Sequence, residues 1–248
     1  PYFEIVIGIF MLLFGINFNL YYFLLVRRFR DVFRSEELWA YVLIVGTAVA
    51  AITLDIVHMY ESVGTSLRHA FFQVSSIITT TGYATKDFAL WPTTSQVVLT
   101  ALMFTGACAG STSGGIKISR ITLLAKSLHR EMNRLIHPNH ISVIKSEGRP
   151  VDERVVSSAS VFFVSFILVW LAGTLVVSWD NLGFTESFTA PLTCISNVGP
   201  GLGLVGPTCN FGFLSPLSKL VLSFTMLLGR LEIMPLLVLF FPSVWQKK

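Results

Sequence analysis

The sequence predicts an all-α polytopic membrane protein built from repeats of one unit: a helix, a re-entrant pore loop and a second helix. Three observations predict it. The 248 residues are 53% hydrophobic and 13% charged, with a mean hydropathy of +0.69, a balance that excludes an ordinary water-soluble domain of this size. Two polar, glycine-containing stretches, around Gly82 and Gly199, each lie between apolar segments in the same order. Irregular backbone at membrane depth persists only where protein buries it or it lines a wet path. Finally, most of the basic residues fall on one set of connections, which marks membrane sidedness and not a nucleic-acid footprint.

Residues 1–26 contain the first apolar segment, Ile5 to Leu25, long enough to span a bilayer and read as the last transmembrane helix of a preceding repeat. Gly8, Gly15, Asn17 and Asn19 suit a helix packed closely against others. Residues 27–37 form a basic linker with Arg27, Arg28, Arg30 and Arg34. Ser35 is a helix N-cap, and Glu36 and Glu37 are favourable first-turn acids, so a second span runs from Leu38 to about Met59. Asp55 and His58 near its far end read as an interfacial pair. Thr65 to Ile78 is apolar but half the length of a span, which suits a helix that enters to mid-depth and returns as extended chain. The negative end of its dipole then points at the centre, where a cation is favoured. Trp91 suits an interfacial anchor and Pro92 a helix start.

The next helix, from Ser95, is predicted to unwind at Gly106 and resume near Ile118, because Gly106 to Lys117 is too rich in glycine and serine for a helix interior. The stretch from Gly110 to Lys117 fails as a phosphate-binding loop, since Ile116 intrudes before Lys117 and no strand precedes it. Residues 118–154 form a basic segment carrying Arg120, Lys126, Arg130, Arg134, Lys145, Arg149 and Arg154. His137 and His140, separated by a proline, read as solvated loop histidines rather than metal ligands. Residues 155–248 hold the second full unit: a span from Val155 to Trp179, a half-length helix from Phe184, a glycine loop, and a last span to Phe241. Cys108, Cys194 and Cys209 lack metal or redox spacing and cannot all pair; Cys194 and Cys209 could meet, but the reading is small membrane-facing residues. The chain shows no secretory leader and reads as a piece of a longer one.

The two units are copies. With Gly82 set on Gly199, Phe71 meets Phe188, Ser76 meets Thr193 and Thr79 meets Ser196; a seven-residue insertion then brings Pro92 onto Pro216. Met103 to Gly106 matches Met226 to Gly229, and residues 38–117 thus form one unit with a broken second helix. Order, length and special residue recur together, which is the mark of an internal repeat. With both glycine loops on one side, Arg27, Arg28, Arg30, Arg34, the run from Lys117 to Arg154, and Lys247 and Lys248 fall on the other. The basic side is therefore expected to be cytoplasmic.

Thr80, Thr81, Gly82 and Tyr83 resemble the Thr-Val-Gly-Tyr-Gly filter of potassium channels, where glycine dihedrals let carbonyls replace a cation's hydration shell. Together with the Gly106 to Lys117 break and Gly229, Arg230 and Glu232, these loops resemble the C-terminal half of the Trk/Ktr/HKT superfamily of potassium uptake proteins, closest to the bacterial TrkH type. The resemblance implies four pore-loop repeats around one pore in the bacterial cytoplasmic membrane. It further implies homodimers, a cytosolic nucleotide-binding regulatory subunit and no cofactor beyond the transported potassium ion. Carried over residue by residue, Thr80, Thr81 and Gly82 would form the third filter wall and Asn197, Val198 and Gly199 the fourth. Asn197 and Val198 depart from the paired threonines, so the walls cannot be equivalent. Gly106, Gly110, Gly114, Gly115 and Lys117 would belong to an intramembrane gate.

Arg230 would face the pore, since an arginine within a span needs a wet cavity or a partner. A structural ion pair with Glu232 or Asp55 is the other reading. The resemblance leaves channel-like flux and sodium- or proton-coupled flux open. A broken-helix transporter of another cation or small solute and a membrane-embedded enzyme are the rival classes, the latter having only Asp55 and His58 to work with.

Overall fold

The computed structural model describes residues 1–137, 143–239 and 245. Eleven helices and one small hairpin follow in order among them: α1 Tyr2–Phe14, α2 Phe18–Leu25, α3 Phe29–Phe33, α4 Glu36–Ile56, α5 Val63–Ile78, α6 Thr93–Thr105, α7 Ile118–Ile136, β1 Lys145–Ser146, β2 Arg149–Pro150, α8 Glu153–Ser178, α9 Phe184–Ser196, α10 Pro216–Arg230 and α11 Ile233–Leu239. The two strands pair antiparallel, Lys145 opposite Pro150, and sit within the basic segment. His140 and the end of the last predicted span lie outside the described residues.

Two helices are long and apolar enough to cross a membrane among the described residues, Glu36–Met59 and Glu153–Ser178. Each begins on a polar cap: Ser35 Oγ accepts from Leu38 N, and Asp152 from Arg154 N at 2.9 Å. The first apolar segment is not one straight helix. α1 and α2 meet at 90°, because Asn17 leaves the helix, caps α2 by accepting from Asn19 N at 2.9 Å, and exposes backbone that other elements use. The last segment also breaks, after Arg230, where Glu232 takes φ +58°.

The half-length helices are the buried centre. α5 has 16 residues and α9 has 13, about 24 Å and 20 Å at 1.5 Å per residue, short of a hydrocarbon core of about 30 Å. α5 packs against α1, α4 and α6, and α9 against α8, α10 and α6. Their polar side chains are enclosed by this jacket: Ser75, Ser76, Thr193 and Ser196 are fully buried. One apolar cluster containing Ile52, Ile77, Leu99, Phe166 and Ile195 joins both units into a single core.

Candidate functional site: two glycine turns and the loop beneath them

α5 and α9 end in the same turn. Thr80 N donates to Ile77 O at 3.0 Å and Thr81 N to Ser76 O at 2.9 Å; Asn197 N donates to Cys194 O at 3.1 Å and Val198 N to Thr193 O at 2.9 Å. This is the double hydrogen bond of a Schellman cap, which needs a left-handed residue just past the helix. Thr80 (φ +53°) and Asn197 (φ +57°) supply it, and Gly82 (φ +78°) and Gly199 (φ +109°) repeat the positive dihedral two residues on. Alternating handedness lets successive carbonyls face one side, as a dehydrated cation requires. Asn tolerates the left-handed region; a β-branched threonine does not, so Thr80 is held there against its preference.

The turns touch. A Cβ on Gly82 would lie 2.1 Å from Val198 O, so the glycine is demanded by close approach as well as by dihedral. At Gly199 the same position is open, with nothing within 4 Å. Val198 is buried, while Thr81 and Gly199 are exposed.

Beneath them the chain from Gly106 to Lys117 folds back on itself. α6 stops at Gly106 (φ +55°), and Gly110 and Gly115 are also left-handed. The tip reaches both turns: Gly114 N donates to Thr80 Oγ1 at 2.8 Å, and a Cβ on Gly114 would lie 2.3 Å from Ser196 O. Lys117 Nζ turns back onto Ser113 O. Arg230 Nη1 donates to Thr112 O at 3.2 Å. Gly229 lets α10 lie against the end of α9, where a Cβ would meet Ile195 O at 1.8 Å. A cavity of about 320 Å³ opens here, lined by Thr112, Gly114, Lys117, Arg120, Arg230 and Glu232 among others.

Neither acid considered for Arg230 pairs with it. Glu232 Oε2 takes Arg120 Nη2 at 2.9 Å, and Arg120 also lies 4.0 Å over the Phe162 ring. Asp55 does not pair with His58 either; its Oδ2 accepts from Ser95 N at 3.0 Å and Ser95 Oγ at 2.6 Å, capping α6. Asp180 does the same for α10, accepting from Ser215 N at 3.0 Å. Sequence reasoning misses this repeated tie, although an aspartate near the end of each first helix is its visible trace. Trp91 is buried, its Nε1 donating to Tyr60 OH at 3.1 Å, and Cys194 is buried rather than membrane-facing, with all three thiols free.

Paired half-length helices, capped alike and jacketed by longer ones, define a pore-loop membrane protein. Known proteins narrow that class. Residues 41–247 match the family described as TrkH, cation transport protein. The chain is 38% identical over its whole length to the Trk system potassium uptake protein TrkH of Salmonella typhimurium, and 36% identical over 98% of its length to TrkG of Escherichia coli. It superposes on the crystal structure of the potassium transporter TrkH from Vibrio parahaemolyticus with a TM-score of 0.88 and 34% identity, covering 98% of this chain and 53% of that one. The chain therefore belongs to the TrkH cation transport protein family. It spans about half the length of these relatives, 51% of the Salmonella protein and 50% of TrkG. A transport family replaces the membrane-embedded enzyme among the rival readings.

Proposed function

We propose that the chain forms two adjacent walls of a potassium uptake pathway across the bacterial cytoplasmic membrane. Thr80, Thr81 and Gly82 make one wall of the filter, and Asn197, Val198 and Gly199 the next. The observation that carries this reading is the identical capped turn on two half-length helices, with Gly82 in contact with Val198 O. Residues 38–117 and 155–248 are then pore-loop repeats, residues 1–26 close a preceding one, and residues 27–37 and 118–154 lie in the cytoplasm. A homodimer and a cytosolic nucleotide-binding regulatory subunit belong to the same proposal.

Gly106, Gly110, Gly114, Gly115 and Lys117 shape the gate. Its tip bonds Thr80, inside the filter turn, and Arg230 holds Thr112 from below. A guanidinium there raises the barrier to a cation in a low-dielectric site. The test is rubidium uptake by potassium-uptake-deficient cells carrying the chain at its full genomic length. Gly199→Ser should lower the preference for potassium and rubidium over sodium, and Arg230→Gln should raise resting flux. If Gly199→Ser leaves selectivity as it was, the filter assignment fails.

A further inference from the structure

In the proposed gate the tip of the loop must be released while the rest of the loop stays in place. One side chain bears on that. Glu37 Oε1 accepts from Ala109 N at 2.6 Å and from Ser119 N at 3.1 Å. These amides bracket the glycine-rich tip: Ala109 comes before it, and Ser119 lies in the first turn of α7 after it.

Both donors need a partner. Ala109 is in irregular chain, and Ser119 is among the first amides of a helix whose N-cap, Lys117, provides no side-chain acceptor. A carboxylate at that end also meets the positive pole of α7. Sharing one oxygen draws the two limbs together, and Ile116 N to Phe104 O at 3.1 Å and Ile118 N to Ala107 O at 3.2 Å tie them as rungs. The upstream limb is tied again to the bend of α1 and α2, through Cys108 N to Gly15 O at 3.1 Å and Phe18 N to Gly110 O at 3.3 Å. No lysine or arginine forms an ion pair with Glu37 among the described residues. Its carboxylate is directed at these backbone amides, which depend on it for an acceptor oxygen.

We propose that Glu37 is the positioning residue of the gate: it pins both limbs of the loop to the foot of α4, so that only the tip, residues 111–115, moves when Thr80 and Arg230 let go. This rests on the gate reading given above. Removing the pin should let the tip leave the filter turns without any stimulus.

The test compares Glu37→Ala, Glu37→Gln and Arg230→Gln as resting rubidium uptake, with the ratio of rubidium to sodium uptake as the second readout. Glu37→Ala should raise resting flux about tenfold, with the ion preference unchanged because the filter is untouched. Glu37→Gln keeps an acceptor oxygen and should stay close to wild type. A merely structural role would lower total flux and leave the resting share where it was. If Arg230→Gln raises resting flux and Glu37→Ala does not, the anchor is overturned and the gate stands. If neither does, the gate reading itself falls and the anchor with it. Should Glu37→Ala fail to accumulate, Glu37→Asp decides. Its shorter carboxylate cannot reach both amides, so raised flux supports the anchor and wild-type flux overturns it.

Discussion

In the proposed gate, Thr80 separates stability from closure. As a β-branched residue at φ +53° it costs about 1–3 kcal/mol, yet its Oγ1 takes the Gly114 amide. Thr80→Asn installs the residue the second turn already uses. It should raise the melting temperature in detergent by relieving about 1 kcal/mol of strain while raising resting flux, because that acceptor is displaced. Higher stability with tighter closure would contradict this account. The glycines of the two capped turns should also differ. Both are left-handed, but only Gly82 has a backbone oxygen where a methyl would go. Gly82→Ala should therefore lower the melting temperature more than Gly199→Ala, whose cost is the dihedral alone, about 1–2 kcal/mol. Asp180 gives a pH signature. Hydrogen bonds from Ser215, the backbone amide first, hold its carboxyl below the ordinary aspartate value of 3.8. A depressed pKa adds stability above 3.8 that disappears as pH falls through the lower folded value. The melting-temperature gap between wild type and Asp180→Asn should be constant near neutrality and close below about pH 4.

Elements whose ends are set by local chemistry are legible in the sequence itself. Ser35 with Glu36 starts α4, the glycine run from Gly106 ends α6, and Ile118 restarts the chain as α7, each at the position its residues dictate. The bend between α1 and α2 is not, because Ile5 to Leu25 is apolar enough to continue. The Asn17 cap makes the break, and distant backbone holds it, Cys108 N donating to Gly15 O and Phe18 N to Gly110 O. After Arg230 the chain breaks where Glu232 takes φ +58°, and Glu232 there pairs with Arg120 of α7. The same limit hides Glu37, which reads as an ordinary first-turn acid, and Asp55, which reads as an interfacial charge. Each acts on an element far away in sequence. Asp55→Ala should show the size of such a tie. It strands the Ser95 amide and hydroxyl in a buried site, so thermal unfolding should register a loss of about 1–3 kcal/mol, with Asp55→Asn recovering part of it.

At the scale of the molecule, side-chain ties fix which ends share a side. Lys126 of α7 bonds Glu36 at the head of α4, and Arg130 bonds Glu153 at the head of α8 at 2.7 Å. Both units therefore start beside α7. Their first helices, α4 and α8, end beside Ser95 and Ser215, and Asp87 Oδ2 accepts from Thr208 Oγ1 at 3.0 Å to link the two loops on that side. Parallel copies follow from this: the basic linker and α7 lie opposite the loops that carry Asp87 and Thr208, and for the proposed pathway the positive-inside rule predicts that those loops face outward. Native cysteines can report it. Cys209 is exposed next to Thr208, whereas Cys108 and Cys194 are buried. A membrane-impermeant maleimide added to intact cells should label Cys209 alone. A cysteine at Ser146, in the hairpin beyond α7, should react only after the membrane is opened. Were Ser146→Cys labelled from outside while Cys209 stayed protected, the chain would have the opposite orientation, and in the proposed pathway Arg230 would lie on the outer side of the glycine turns rather than the inner.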